Sequence, residues 1–142
     1  FDYPVRYLRP DDEGFMDISD ITFENYSGSF RGSALQIVAG PGVKIRGVRD
    51  VVFRNLRVQS AQPLRFVGNA DSVLSNVVLE DVTAELSGKV PYEAVATEPL
   101  VLKNCTFNGA RVPDARLVTP RGARQPLVRR NVSWETKPQK KK

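Results

Sequence analysis

Ile18-Ser-Asp-Ile-Thr-Phe-Glu-Asn25 decides how this chain folds, because the chain keeps returning to it. Val48-Arg-Asp-Val-Val-Phe-Arg-Asn55 is a second copy, and Leu74-Ser-Asn-Val-Val-Leu-Glu-Asp81 is a third. Leu102-Lys-Asn-Cys-Thr-Phe-Asn108 reads as a fourth copy and Arg130-Asn-Val-Ser-Trp134 as a worn fifth. With Asp20, Asp50, Asn76, Asn104 and Asn131 taken as equivalent points, the steps are 30, 26, 28 and 27 residues. Self-similarity at a period in the twenties is the signature of a solenoid.

Inside each copy, apolar residues sit two apart: Ile21 and Phe23, Val51 and Phe53, Val77 and Leu79, Cys105 and Phe107. A period of two makes each copy a short strand with one buried face. Asn or Asp brackets the strand, and these residues tolerate the left-handed backbone conformation needed at a corner. A single unit cannot bury its apolar face. Stacked copies can, each coil advancing by about 4.8 Å, the spacing of paired strands. The expectation is an all-β chain, a parallel β-helix of about five coils with an irregular C-terminal end. Asn25, Asn55 and Asp81 should lie in register at one corner. Phe23, Phe53, Leu79 and Phe107 should form one interior row.

Between the copies, Tyr26 to Arg31 and Arg57 to Gln62 read as turns, and Thr83 to Lys89 as an outgoing segment. A second strand follows in each coil, at Ser33 to Val38, Pro63 to Val67, Tyr92 to Val95 and Ala115 to Val118. Alternation turns Gln36, Arg65, Glu93 and Arg116 outward on these facing strands, and Arg6 outward on the entry strand around Val5 and Tyr7. Beyond Asn108, Pro113, Pro120, Pro126 and Pro138 interrupt the pattern, as expected where a solenoid is capped. Residues 1–136 are read as one β-helix domain and 137–142 as a basic tail.

The 142 residues suffice for one domain with a sizeable core, and 41% hydrophobic with 26% charged residues is a composition that folds. No run of about 18 apolar residues offers a membrane helix. Residue 1 is Phe, so the chain is expected to be processed or cut from a longer protein. Remaining N-terminal coils or another chain are then expected partners.

The absence of histidine removes Ser-His-Asp and Cys-His catalysis and imidazole metal sites. One cysteine, Cys105, excludes an internal disulfide and a cysteine zinc cluster, and its inward position reads as a buried inert thiol. No cofactor or metal is implied. Asp11 and Asp12 are adjacent and invite a glycosidase reading, but they sit in a Pro-Asp-Asp-Glu-Gly turn and read better as solvated. Asn25, Asn104 and Asn131 match Asn-x-Ser/Thr and read as turn asparagines. The net charge of +5 suits an anionic partner. Nucleic acid is disfavoured, because Phe53 and Phe66 fall at inward positions and leave no stacking platform.

Ile18 to Asn25, followed by Ser33-Ala-Leu-Gln-Ile37 and Val48 to Asn55, resembles the C-terminal coils of family 28 glycoside hydrolases, the polygalacturonases and rhamnogalacturonases. The resemblance covers about residues 3 to 110. It implies a right-handed parallel β-helix of the pectin-lyase-like fold, an extracellular or periplasmic location and an acidic, pectin-type polysaccharide as partner. That family's Asn-Thr-Asp and Gly-His motifs are missing here, and Leu8 stands where its Arg-Ile-Lys strand would have lysine. By resemblance the chain is the back portion of such a hydrolase, with no catalytic residue and no hydrolysis expected of it alone. In that reading Arg6, Gln36, Arg65, Glu93 and Arg116 extend the floor of a substrate groove. The other reading is a non-catalytic β-helix that binds carbohydrate or serves in assembly.

Overall fold

The structure, a computed structural model, describes residues 2–3, 17–39, 47–88, 91–118 and 127–129. Twelve strands follow in order: β1 (Asp2–Tyr3), β2 (Asp17–Phe30), β3 (Gln36–Ala39), β4 (Gly47–Ser60), β5 (Leu64–Val67), β6 (Leu74–Leu86), β7 (Tyr92–Val95), β8 (Thr97–Lys103), β9 (Cys105–Phe107), β10 (Ala110–Val112), β11 (Ala115–Leu117) and β12 (Leu127–Arg129). Helices are absent from the described residues.

The long strands β2, β4 and β6 stack in parallel, and β8 and β9 continue the stack as two separate pieces. The short strands β1, β3, β5 and β7 form a second parallel sheet. The chain alternates between the two sheets once per coil, which makes it a parallel β-solenoid. It completes about three turns, not five. Each of the three corner-to-corner steps consumes 30, 26 and 23 residues, and after β9 the chain reverses.

The long strands are bent twice, and the corner residues explain how. Asp20, Asn25, Asp50, Asn55, Asn76 and Asp81 all have φ between 54° and 62°. A left-handed residue inserted into an alternating strand shifts its parity by one. Val48 and Val51 therefore both face inward across Asp50, and Phe53 and Leu56 both face inward across Asn55. Asn and Asp reach this conformation at low cost, because their short side chains can hydrogen-bond locally. Here they also bond between coils. Asn55 donates to Asn25 at 2.7 Å, Asn76 to Asp50 at 2.8 Å and Asn104 to Asp81 at 2.6 Å.

Each long strand thus has three arms, and the third corrects the sequence reading. Tyr26 to Phe30, Leu56 to Ser60 and Val82 to Leu86 are strand, paired residue for residue, not turn. Their alternation was present in the sequence: Leu56 and Val58 are buried, as are Val82 and Ala84, with Arg57 and Thr83 exposed between them.

The interior is a column of apolar rows. Phe23, Phe53, Leu79 and Leu102 occupy one row, each directly opposite the next. Leu102 takes the place expected for Phe107, which lies instead opposite Ala84 in the third-arm row. The reason is at the corner: Asn104 pairs with Asp81 at the second corner, whereas the first corner of that coil holds Pro99, next to Leu100 opposite Val77. Phe53 stacks on Phe23 at 5.2 Å and meets Phe66 of the other sheet at 6.2 Å, joining the two sheets through the core. Gly68 is needed where β5 ends, because a Cβ there would collide with the Ser72 carbonyl oxygen.

The stack is closed at one end by reversal. Asn108 (φ 52°) and Gly109 (φ 80°) form a tight turn that sends β10 back antiparallel along β9. Positive φ at both turn positions is the geometry in which Asn-Gly hairpins excel. β11 then lies antiparallel along β8. The Ala115 to Val118 segment was expected on the facing sheet. It covers the edge of the long-strand sheet instead. β12 closes the facing sheet antiparallel to β7.

Candidate functional site

Gln36, Arg65 and Glu93 stand in one cross-strand row on the facing sheet, as alternation implied. The Arg65 guanidinium donates to the Glu93 carboxylate at 3.1 Å, so each charge in that row is already answered by the other. Arg116 is not in the row. It sits opposite Val101 on the long-strand sheet, carried there by the β9–β10 reversal. Arg6 lies outside the described residues, as do Asp11, Asp12, Asn131 and the lysine tail.

A concavity among the described residues lies elsewhere, along the third arms. Two open depressions of about 500 and 340 Å³ share Ser29, Gln59 and Glu85 and so form one groove along the stack. Its floor is two rows at strand spacing. Arg57 and Thr83 are one row, and Ser29, Gln59 and Glu85 are the other. Its rim is the turn out of each coil, with Phe30, Arg31, Ala61, Leu86 and Ser87. Sequence reasoning missed this groove because it took these segments for turns. The polar alternation at Arg57, Gln59, Thr83 and Glu85 was the signal that could have found it.

The rim is held by a ladder that runs through the turns. Ala61 N–H donates to the Phe30 carbonyl at 3.0 Å, and Ser87 N–H to the Ser60 carbonyl at 3.2 Å. The buried Ser60 hydroxyl accepts from Ala34 N–H at 2.9 Å and donates to the Gln62 carbonyl at 2.7 Å. On the floor, the Ser29 hydroxyl donates to Gln59 Oε1 at 2.7 Å. Phe30 is 38% exposed, an apolar surface among hydroxyl, amide and charged groups.

Chemically the described lining of the groove offers donors, acceptors and cations, with one carboxylate, Glu85. Among the described residues Arg31 and Arg57 take part in no ion pair. By contrast the second arms carry an exposed charge ladder in which Arg54 reaches both Glu24 at 3.2 Å and Glu80 at 3.4 Å. Cys105 is buried beneath the strands, and burial pushes its thiol up to about 11. At neutral pH it is a protonated core side chain. Among the described residues no group of His, Cys, Asp and Glu side chains could hold a metal ion.

No family model, curated protein or solved structure matches the chain.

Proposed function

We propose that the chain is a non-catalytic carbohydrate-binding portion of a polygalacturonase-like β-helix, and that it holds acidic polysaccharide along the third-arm groove. The observation that carries this reading is the groove itself. It is open and crosses three stacked strands, and its polar groups recur at the strand spacing, a repeat that an extended polymer can follow. Arg31 and Arg57 suit carboxylate groups, which guanidinium binds with charge-assisted, bidentate hydrogen bonds. The parallel β-solenoid is compatible with a carbohydrate-active scaffold.

Hydrolysis is not part of the proposal. Inverting cleavage needs an acid and a base about 6.5–9.5 Å apart, and retaining cleavage needs two carboxyl groups at about 5–5.5 Å. Among the described residues Glu85 is the one carboxylate of the groove lining, and Glu93 is tied to Arg65 on another face.

The test is retention on immobilised polygalacturonate together with reducing-sugar release. Retention that falls with added salt and drops at least about fivefold in the Arg31→Gln/Arg57→Gln variant is the expected result. Retention unchanged in that variant, or sugar release by the unmodified chain, would overturn the reading.

A further inference from the structure

The third-arm groove changes sign along the stack. Arg31 follows β2, Arg57 lies on β4 and Glu85 lies on β6. All three side chains are exposed, and among the described residues none takes part in an ion pair. Arg57 stands opposite Thr83, and Gln59 opposite Glu85, so Arg57 and Glu85 lie diagonally across adjacent strands. The first two coils therefore present cations to the groove and the third presents an acid. A groove shaped for a uniformly acidic chain would not place a carboxylate there.

The hydrogen-bonding groups follow the same order. Ser29, Gln59 and Glu85 form one row. The Ser29 hydroxyl donates to Gln59 Oε1 at 2.7 Å, which leaves Gln59 Nε2 to donate into the groove. Next in the row, the Glu85 carboxylate can only accept. A ligand carboxylate suits Arg31 and Arg57 through charge-assisted hydrogen bonds. Set against Glu85, it brings like charges together and loses affinity. An uncharged hydroxyl at that place donates to Glu85 instead.

We infer that Glu85 is a specificity-determining residue: the groove takes acid groups at its first two coils and an uncharged, hydroxyl-bearing sugar at the third. This inference rests on the carbohydrate-binding reading above. It narrows the ligand from any acidic polysaccharide to one whose acid groups are interrupted. A sugar chain can present such a pattern, because paired strands lie about 4.8 Å apart, a length comparable with one sugar ring. Successive coils then meet successive sugars, and Glu85 tests the charge of the one it meets.

The experiment compares retention of the full chain, at low salt, on immobilised polygalacturonate and on partly methyl-esterified polygalacturonate. Esterification removes charge and keeps the ring hydroxyls. The unmodified chain should be retained at least as strongly on the esterified polymer. Glu85→Gln keeps the size of the side chain and loses its charge. It should raise retention on polygalacturonate at least about fivefold and leave the esterified polymer within about twofold. Asp71→Asn removes one charge from an exposed turn outside the groove and should change neither. Stronger retention of the unmodified chain on the fully acidic polymer would overturn the inference. So would a Glu85→Gln variant that behaves as the parent, or an Asp71→Asn gain equal to that of Glu85→Gln, which reports net charge alone. The Arg31→Gln/Arg57→Gln variant separates the two failures. If it loses retention while Glu85→Gln matches the parent, the groove binds and Glu85 does not select. If it is retained as well as the parent, or the parent is retained on neither polymer, the carbohydrate reading falls and the inference falls with it.

Discussion

β2 and β4 are written in one pattern and are buried differently. Ile18-Ser-Asp-Ile-Thr-Phe-Glu-Asn25 and Val48-Arg-Asp-Val-Val-Phe-Arg-Asn55 share their corners, their alternation and their phenylalanine. Both corner pairs adopt the same left-handed backbone. Yet Val51 and Leu56 are wholly buried, while β2 has no fully buried residue. The local conformation is therefore set within the repeat, by Asp and Asn, but burial is set by neighbours on both sides. In a solenoid each unit's stability is an intrinsic part plus interface parts, and β4 has two strand interfaces where β2 has one among the described residues.

The sharpest way to break this comparison is to truncate the same phenylalanine in both coils. Phe53→Ala should cost about 3–5 kcal/mol, the usual range for a buried phenylalanine that loses packing on every side. Phe53 contacts aromatic rings in both sheets. Phe23→Ala should cost about half as much, since Phe23 is only partly buried. Urea titrations of the two variants measure the difference. Equal losses would show that position in the stack does not govern burial.

A smaller effect separates backbone from packing. Asn55→Ala must hold φ 54° without the short polar side chain that eases that conformation, and it removes the bond to Asn25, so it should cost about 2 kcal/mol in a denaturant melt. Asn55→Gly keeps the conformation accessible and should cost less than half of that. If the alanine and glycine variants lose the same stability, the corner acts through its hydrogen bond and not through φ.

The smallest effect is silent at neutral pH. Burial raises the Cys105 thiol from 9.0 to about 11, so the folded state favours the protonated form. Below pH 9 the contribution is constant. As pH rises from about 9 to about 11 the unfolded thiol ionises first, and stability should decline across that window. A Cys105→Ala variant should lack that decline. At pH 8 the native thiol should resist alkylation and become reactive on unfolding.

Much of this was legible in the sequence, and the failures have physical causes. Alternation and Asx corners were enough for a parallel solenoid, and Asn25 and Asn55 do meet at one corner. The fourth repeat slipped because Asn104 looks like a first corner. Its neighbour Asn108 follows after four residues, where Asp20 to Asn25 and Asp50 to Asn55 take five, and that shortening marked a different role. Arg116 slipped with it. The Asn108-Gly109 dipeptide signalled a hairpin, and the hairpin moved Ala115 to Leu117 onto the other sheet. Gln36, Arg65 and Glu93 were placed in one row by alternation alone. What alternation could not supply is that Arg65 would spend its charge on Glu93, since that depends on register between strands 28 residues apart.

Paired cysteines probe whether the repeats stack in parallel and in register. Thr22 lies opposite Val52, and Glu24 opposite Arg54, all on the outer face of the second arms. Strands about 4.8 Å apart bring such Cα pairs within disulfide reach, about 4.4–6.8 Å. Mild oxidation of Thr22→Cys/Val52→Cys and of Glu24→Cys/Arg54→Cys should close an intramolecular disulfide in each. The crossed pairs, Thr22→Cys/Arg54→Cys and Glu24→Cys/Val52→Cys, should stay largely reduced. Efficient closure of the crossed pairs with failure of the straight ones would mean antiparallel repeats, and would contradict the solenoid.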